Sequence, residues 1–296
     1  MKKIVVAGSG VLGSQIAFQA AFHGYDVSIY DISDAVLEKA KQTLRGLAER
    51  YRADIGATQA QIDTAAGNIA LTTDLATALA DADLLIEAIP EAIAIKTEFY
   101  GKAGELAPEK TIFATNTSTL LPSQFAEATG RPAKFLALHF ANEIWKRNTA
   151  EVMGHPGTDS QVFNAVVAFA KSIGMVALPL YKEQPGYITN SLIVPWVTAA
   201  LKLWASGVAE SETIDKTWLI ATKSTFVPFG FVDMAGLNTA YNITSAMANA
   251  TSDPVLAEAA RRLKEEYLDK GKLGVSSGEG FYKYPNPAYL NKSFLS

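Results

Sequence analysis

The sequence predicts an α/β fold: a doubly wound, mostly parallel sheet followed by a smaller, all-helical domain. Short apolar runs alternate with helix-spaced segments as far as residue 180, the rhythm of βαβ units. The first run opens into a three-glycine turn, and at Lys182-Glu183-Gln184-Pro185-Gly186 the rhythm changes, after which only helical spacing continues.

Residues 4–7, Ile-Val-Val-Ala, have no polar interruption, which suits a parallel strand covered on both faces. From 11 to 23 the residues Val11, Leu12, Ile16, Ala17, Ala20 and Ala21 recur at helical spacing, and Gly24 stands where a helix ends. Residues 27–30 read as a second strand, which completes one βαβ unit with a right-handed crossover. Beyond it the pattern predicts an amphipathic helix over 34–52, a strand over 69–72, a helix over 75–80 and a strand over 84–88. It continues with a helix over 93–106, extended residues 111–115, a helix over 122–128, extended residues 135–139 and around Val152, a helix over 159–172 and a strand over 175–178. That makes a sheet of about eight strands. The predicted boundary leaves 1–183 as the doubly wound domain and 184–296 as a helical domain, with helices over 187–206, 211–222, 238–250 and 254–270.

Composition narrows the function. With 49% hydrophobic and 19% charged residues, the 296-residue chain has the balance of a folded globular protein. Its 26 Lys and Arg against 30 Asp and Glu give a net charge of −4 with no block of five like charges, which argues against nucleic acid as a partner. The lack of cysteine removes disulfides, thiolate metal sites and a cysteine nucleophile, and fits a cytoplasmic setting. His23, His139 and His155 are widely separated, so no metal site is expected. The apolar stretch 191–201 is too short to span a bilayer and contains Pro195, so no membrane association is expected. Lys2 and Lys3 run straight into the first strand, without the apolar core of a leader peptide.

Gly8-Ser9-Gly10-Val11-Leu12-Gly13 is G-x-G-x-x-G between a predicted strand and a predicted helix, the Rossmann-type setting that gives the pattern its meaning. The first glycine permits a tight turn, the second lets the backbone approach a pyrophosphate and the third lets the helix pack on the sheet, with the helix N-terminus facing the phosphates. Asp31, 18 residues beyond Gly13 at the end of the second strand, is placed to accept ribose hydroxyls and would repel a 2′-phosphate, which favours NAD over NADP. Taken alone, Asp31 would also suit a helix cap.

His139 ends the run Leu136-Ala137-Leu138, on the rim where ligands of doubly wound sheets sit. Twelve residues later Glu151 precedes Val152 on the next expected strand. A carboxylate beside an imidazole fixes its tautomer, and alcohol oxidation needs such a proton acceptor while nicotinamide takes the hydride.

These segments together resemble the L-3-hydroxyacyl-CoA dehydrogenase family, which includes bacterial 3-hydroxybutyryl-CoA dehydrogenases. The resemblance spans nearly the whole chain. It rests on the glycine turn, Glu87-Ala88-Ile89-Pro90-Glu91 with Lys96, Ala114-Thr115-Asn116-Thr117-Ser118, His139-Phe140 with Asn142, Glu151-Val152, Pro185-Gly186-Tyr187 with Asn190, Gly236-Leu237 and Gly278-Glu279-Gly280-Phe281-Tyr282. It implies His139 as the base, Glu151 as its orienting partner, and Ser118 and Asn190 as donors to the substrate's oxygen atoms. Glu91, Lys96 and Asn142 would line the nicotinamide half of the NAD site, Asn116 and Ser118 would also bind the cofactor, and the helical domain would form a homodimer. On their residue types alone, Glu151 would equally suit a surface position, Asn190 a helix cap, Ser118 a turn and Lys96 a solvated helix face.

After His139-Phe140 the family continues with an aromatic, Asn, Pro and an apolar run, whereas this chain has Ala141-Asn142-Glu143-Ile144-Trp145-Lys146-Arg147-Asn148. Here Lys146 and Arg147 are expected to add positive charge and Trp145 an aromatic surface. Ser191 stands where the family usually has a basic residue, and Ser276 or Ser277 where a lysine commonly precedes the Gly-Glu-Gly signature, so two contacts that the resemblance would imply to CoA phosphates are not expected. The resemblance implies interconversion of a short-chain L-3-hydroxyacyl-CoA and its 3-oxoacyl-CoA. Two alternatives stand beside it: a free hydroxy acid such as gulonate or carnitine, held by Lys146 or Arg147, and a non-catalytic NAD-binding protein.

Overall fold

The computed structural model describes residues 1–295 and divides into two compact units, Met1–Ile188 and the chain from Thr189 onward. The first unit holds eight strands: β1 (Lys3–Ala7), β2 (Asp26–Tyr30), β3 (Ile69–Thr72), β4 (Leu84–Glu87), β5 (Ile112–Thr115), β6 (Phe135–Phe140), β7 (Thr149–Gly154) and β8 (Val176–Leu180). They form one sheet in the order β3-β2-β1-β4-β5-β6-β7-β8. All neighbours are parallel except β6 and β7. Alternation along β1 sorts its side chains to the two faces. Ile4 and Val6 join one buried cluster with Ile16, Phe18 and Leu138, while Val5 and Ala7 join another with Tyr100, Phe113 and Phe135.

Helices α1 (Val11–Phe22), α2 (Asp34–Ile55), α3 (Gln59–Gly67), α4 (Leu75–Leu79), α5 (Ile93–Leu106) and α6 (Ser160–Ser172) cover these faces. Ser33 caps α2 by accepting from the Val36 amide, and Gly56 ends it in the left-handed region. The hairpin of α2 and α3 extends past the single helix expected over 34–52; a capping box between Thr58 and Gln61 starts the second helix. The helix expected over 122–128 is instead two short 3₁₀ turns, Pro122–Gln124 and Glu127–Thr129, the second ended by Gly130 in the left-handed region.

The second unit carries α7 (Tyr187–Ala205), whose first residues fall before the division, then α8 (Ser211–Thr222), α9 (Pro228–Ala235), α10 (Leu237–Thr251) and α11 (Pro254–Arg262). The expected helix over 254–270 closes at Arg262 and passes into a π turn and a 3₁₀ turn ending at Gly271. Two buried carboxylates fasten the C-terminal segment. Asp233 accepts from the amides of Phe281 and Tyr282, each at 2.8 Å, and Asp215 accepts from the Tyr282 hydroxyl at 2.7 Å and the Phe229 amide at 3.1 Å. No helix among the described residues is long and apolar enough to cross a membrane.

Candidate active site

The turn between β1 and α1 is built around absent side chains. Gly8 has φ +97°, and a Cβ there would lie 2.5 Å from the Ala88 carbonyl oxygen; at Gly13 it would lie 2.0 Å from that of Gly8. Both must therefore be glycine for α1 to approach the sheet. Gly10, the N-cap of α1, faces no atom within 4 Å, and the first helical turn carries no acidic residue. No side chain caps α1, so the amides of its first turn suit a phosphate. A cavity of about 270 Å³ opens there, lined by Gly10, Val11, Leu12, Gly13, Glu91, Lys96, Asn116 and Ser118 among others. Gly8, Asp31 and Asn142 lie outside this lining. Asp31 Oδ2 accepts from the amide and hydroxyl of Ser9 at 2.7 and 2.6 Å, and Oδ1 from the Ile32 amide at 2.8 Å. These bonds hold the carboxylate beside the glycine turn, and the residues fit a dinucleotide.

Behind the cavity lies a polar network that the sequence reading missed at its centre. Glu87 ends β4 completely buried, and its Oε1 receives Lys96 Nζ at 2.5 Å and the Ile89 amide at 2.9 Å. Its Oε2 receives the hydroxyls of Tyr100 and Thr115, each at 2.8 Å. Lys96 is therefore not a solvated helix residue: it is 1% exposed and bridges Glu87 to Glu91, 3.3 Å away. Glu91 accepts from the Thr117 hydroxyl, the Thr119 hydroxyl at 3.0 Å and the Ser118 amide at 3.2 Å. Burial is the largest influence on Glu91 and opposes its charge, but the Thr117 bond and the Lys96 ammonium outweigh it and hold the carboxyl below its usual range. The signal for Glu87 was a carboxylate ending an otherwise apolar strand, nine residues before a lysine.

On the same rim, His139 and Glu151 are direct partners across the antiparallel pair of β6 and β7. Opposed residues point to one face with their Cβ atoms about 5 Å apart, which brings His139 Nδ1 to 2.9 Å from Glu151 Oε2. Both are buried, at 8% and 2% exposure. Because the carboxylate accepts at Nδ1, the imidazole carries its proton there and presents Nε2 as the acceptor. Asn116 joins this pair to the cavity, its Oδ1 accepting from the Phe140 amide at 3.0 Å. Ser118 stands on the cavity wall. Asn190 is on α7 in the second unit.

The loop 141–148 corrects an expectation. Trp145 offers no aromatic surface: it is buried against Tyr51, ring centroids 5.1 Å apart, and its indole N–H donates to Asp54 at 2.9 Å. Lys146 pairs with Asp54 at 2.9 Å, Arg147 approaches Glu143 at 3.8 Å, and Arg50 pairs with Glu143 while its guanidinium covers the Trp145 ring. The bonds from Lys146 and Trp145 hold the Asp54 carboxyl below its usual range. These charges fasten the loop to α2. Gln15 on α1 accepts from the Glu143 amide at 2.8 Å and reaches Asn142 Oδ1 at 3.5 Å, tying Asn142 to the helix that opens from the glycine turn.

A glycine cradle and a histidine–carboxylate pair along one rim of a doubly wound sheet are the working parts of a dinucleotide-dependent oxidoreductase. Residues 3–184 match the NAD-binding domain of 3-hydroxyacyl-CoA dehydrogenase, and residues 186–284 match its C-terminal domain. The chain belongs to the 3-hydroxyacyl-CoA dehydrogenase family and is an NAD-dependent enzyme. It is 32% identical over 289 residues to human mitochondrial hydroxyacyl-coenzyme A dehydrogenase, covering 96% of this chain and 91% of the relative. The solved (S)-3-hydroxybutyryl-CoA dehydrogenase of Ralstonia eutropha is similar with a TM-score of 0.83 and 27% identity, over 97% of this chain and 100% of that one. A solved diketoreductase, described as performing substrate-directed dual catalysis of dicarbonyl compounds, reaches a TM-score of 0.92 and 53% identity over 96% of this chain and 99% of its own.

Proposed function

We propose that the chain interconverts a short-chain L-3-hydroxyacyl-CoA and its 3-oxoacyl-CoA, with His139 as the proton-transfer residue. The observation carrying this reading is the bond from His139 to Glu151, which leaves Nε2 to take the proton of the substrate's hydroxyl. NAD bound by the glycine turn would supply the acceptor for the hydride of the carbinol carbon. Glu151 orients the ring and balances the charge that the imidazole gains. Ser118 and Asn190 donate to the substrate's oxygen atoms, which polarises a 3-oxo group in the reverse direction. Gly8, Gly10, Val11, Leu12 and Gly13 cradle the pyrophosphate and Asp31 takes the adenosine ribose, while Glu91, Lys96, Asn116, Ser118 and Asn142 hold the nicotinamide half. Residues 1–183 act as the NAD domain and 184–296 as the substrate and dimer domain of a cytoplasmic homodimer. Exposed Leu192, Leu203, Phe226 and Ile243 support the dimer. Replacing His139 by Gln is expected to lower turnover of acetoacetyl-CoA at least about a hundredfold with NADH affinity unchanged; an active His139→Gln enzyme removes the assignment.

A second reading keeps the chemistry and drops the CoA. The diketoreductase at 53% identity favours it, as do Ser191 and Ser276 or Ser277, which stand where the family resemblance leads one to expect basic residues. A carboxylate held by Lys146 or Arg147 is not favoured, because both face acidic side chains already. Parallel assays with acetoacetyl-CoA and a free 1,3-dicarbonyl ester distinguish the two substrates.

A further inference from the structure

The chain enters α7 through a turn with two left-handed residues in succession, Gly186 at φ +78° and Tyr187 at φ +55°. The second is costly, because a side chain in that region crowds its own backbone. The turn does two things for the dyad. It lays the fully buried Tyr187 ring on the His139 imidazole, centroids 4.5 Å apart and planes within 16° of parallel. It also aims the Ile188 amide at Glu151 Oε1, at 3.0 Å, while Oε2 receives His139. Adjacent residues thus restrain both members of the pair, the ring from its face and the carboxylate at its second oxygen.

We propose that Tyr187 is a positioning residue for His139, an inference that rests on His139 being the base. With Glu151 fixing Nδ1 and the tyrosine ring covering one face, the imidazole cannot tilt, and Nε2 keeps one direction. The aromatic plane carries this role and the phenol hydroxyl does not. A displacement of about 1 Å at a reacting group costs on the order of a hundredfold in rate, so the ring acts on turnover and leaves cofactor affinity alone.

The test uses the full chain with Tyr187→Phe, Tyr187→Leu and Tyr187→Gly, assayed with NADH against acetoacetyl-CoA and a free 1,3-dicarbonyl ester, alongside NADH titration and thermal melting. Phe is expected to keep kcat within about twofold, and Leu and Gly to lower it by roughly tenfold to a hundredfold with NADH Kd unchanged. Gly accepts φ +55° without strain, so it carries the test should the Leu variant not fold. The proposal is overturned by Leu and Gly variants with kcat within threefold of the parent, by equal losses in Phe and Leu, or by a loss confined to NADH binding. The underlying reading fails separately, through an active His139→Gln enzyme.

Discussion

Replacing Glu87 by Gln keeps the shape of the fully buried carboxylate behind the cavity and removes only its charge. The amide oxygen can take over the bonds from Lys96 and the Ile89 amide, and the amide nitrogen meets the hydroxyls of Tyr100 and Thr115, which can rotate to accept. What is lost is charge balance at an ammonium that is 1% exposed and left with Glu91 at 3.3 Å. Removing one partner of a buried ion pair costs about 3–5 kcal/mol, and the surviving carboxylate places this case near 3. For a domain of this size that lowers Tm by about 6–12 °C, read by differential scanning calorimetry on the full chain. NADH binding should weaken as well, because Lys96 lines the cavity. Combining Glu87→Gln with Lys96→Met should return most of the stability, since no ion is then stranded. A single variant melting within 2 °C of the parent, or a double variant worse than the single, would refute the reasoning.

Asp31→Asn should cut the preference for NADH over NADPH in kcat/KM by at least about tenfold, because the charge that repels a 2′-phosphate is gone; an unchanged ratio counts against Asp31 as the ribose acceptor. Gly13→Ala would drive a methyl to 2.0 Å from the Gly8 carbonyl, so NADH binding should be lost, and tight binding by that variant would contradict the geometry of the turn. Burial pushes the Asp215 carboxyl up to about 7, from 3.8 when exposed. Between these values the unfolded chain releases a proton that the folded chain keeps, so this group makes stability fall as pH rises, by up to about 4 kcal/mol at pH 7 and above. Urea unfolding of the parent and Asp215→Asn at pH 5 and pH 8 should therefore show the variant gaining relative stability at the higher pH, and a constant difference would rule this out.

The glycine turn, Asp31, and the pairing of His139 with Glu151 were legible because each rests on a local rule: three glycines at fixed offsets, a carboxylate at a strand end, and a histidine on the sheet rim. The alternation of strands and helices was legible for the same reason. Less so were α3 and α9, whose starts at Thr58 and Pro228 are short signals between stronger ones. The direction of β7 was not written in its apolar residues, because parallel and antiparallel strands share the same alternation and only the loop 141–148 reverses the chain. Glu87, Tyr187 and Gln15 act through partners 9, 48 and 128 residues away, and no periodicity reports such distances. Trp145 and Lys146 misled for a related reason: an aromatic and a cation in a loop suggest a ligand until α2 supplies Asp54 and Tyr51.

One consequence of the reversed strand concerns what can vary. Because His139 and Glu151 face each other across a backbone ladder, their separation is set by hydrogen bonds of the sheet and owes nothing to the residues that join them. The connecting segment can be rewritten, as it is here with a tryptophan and three charged residues in succession or nearby, while the histidine–carboxylate pair stays put. A scaffold of that kind lets natural selection, or an engineer, alter which molecules are admitted without rebuilding the chemistry beneath them.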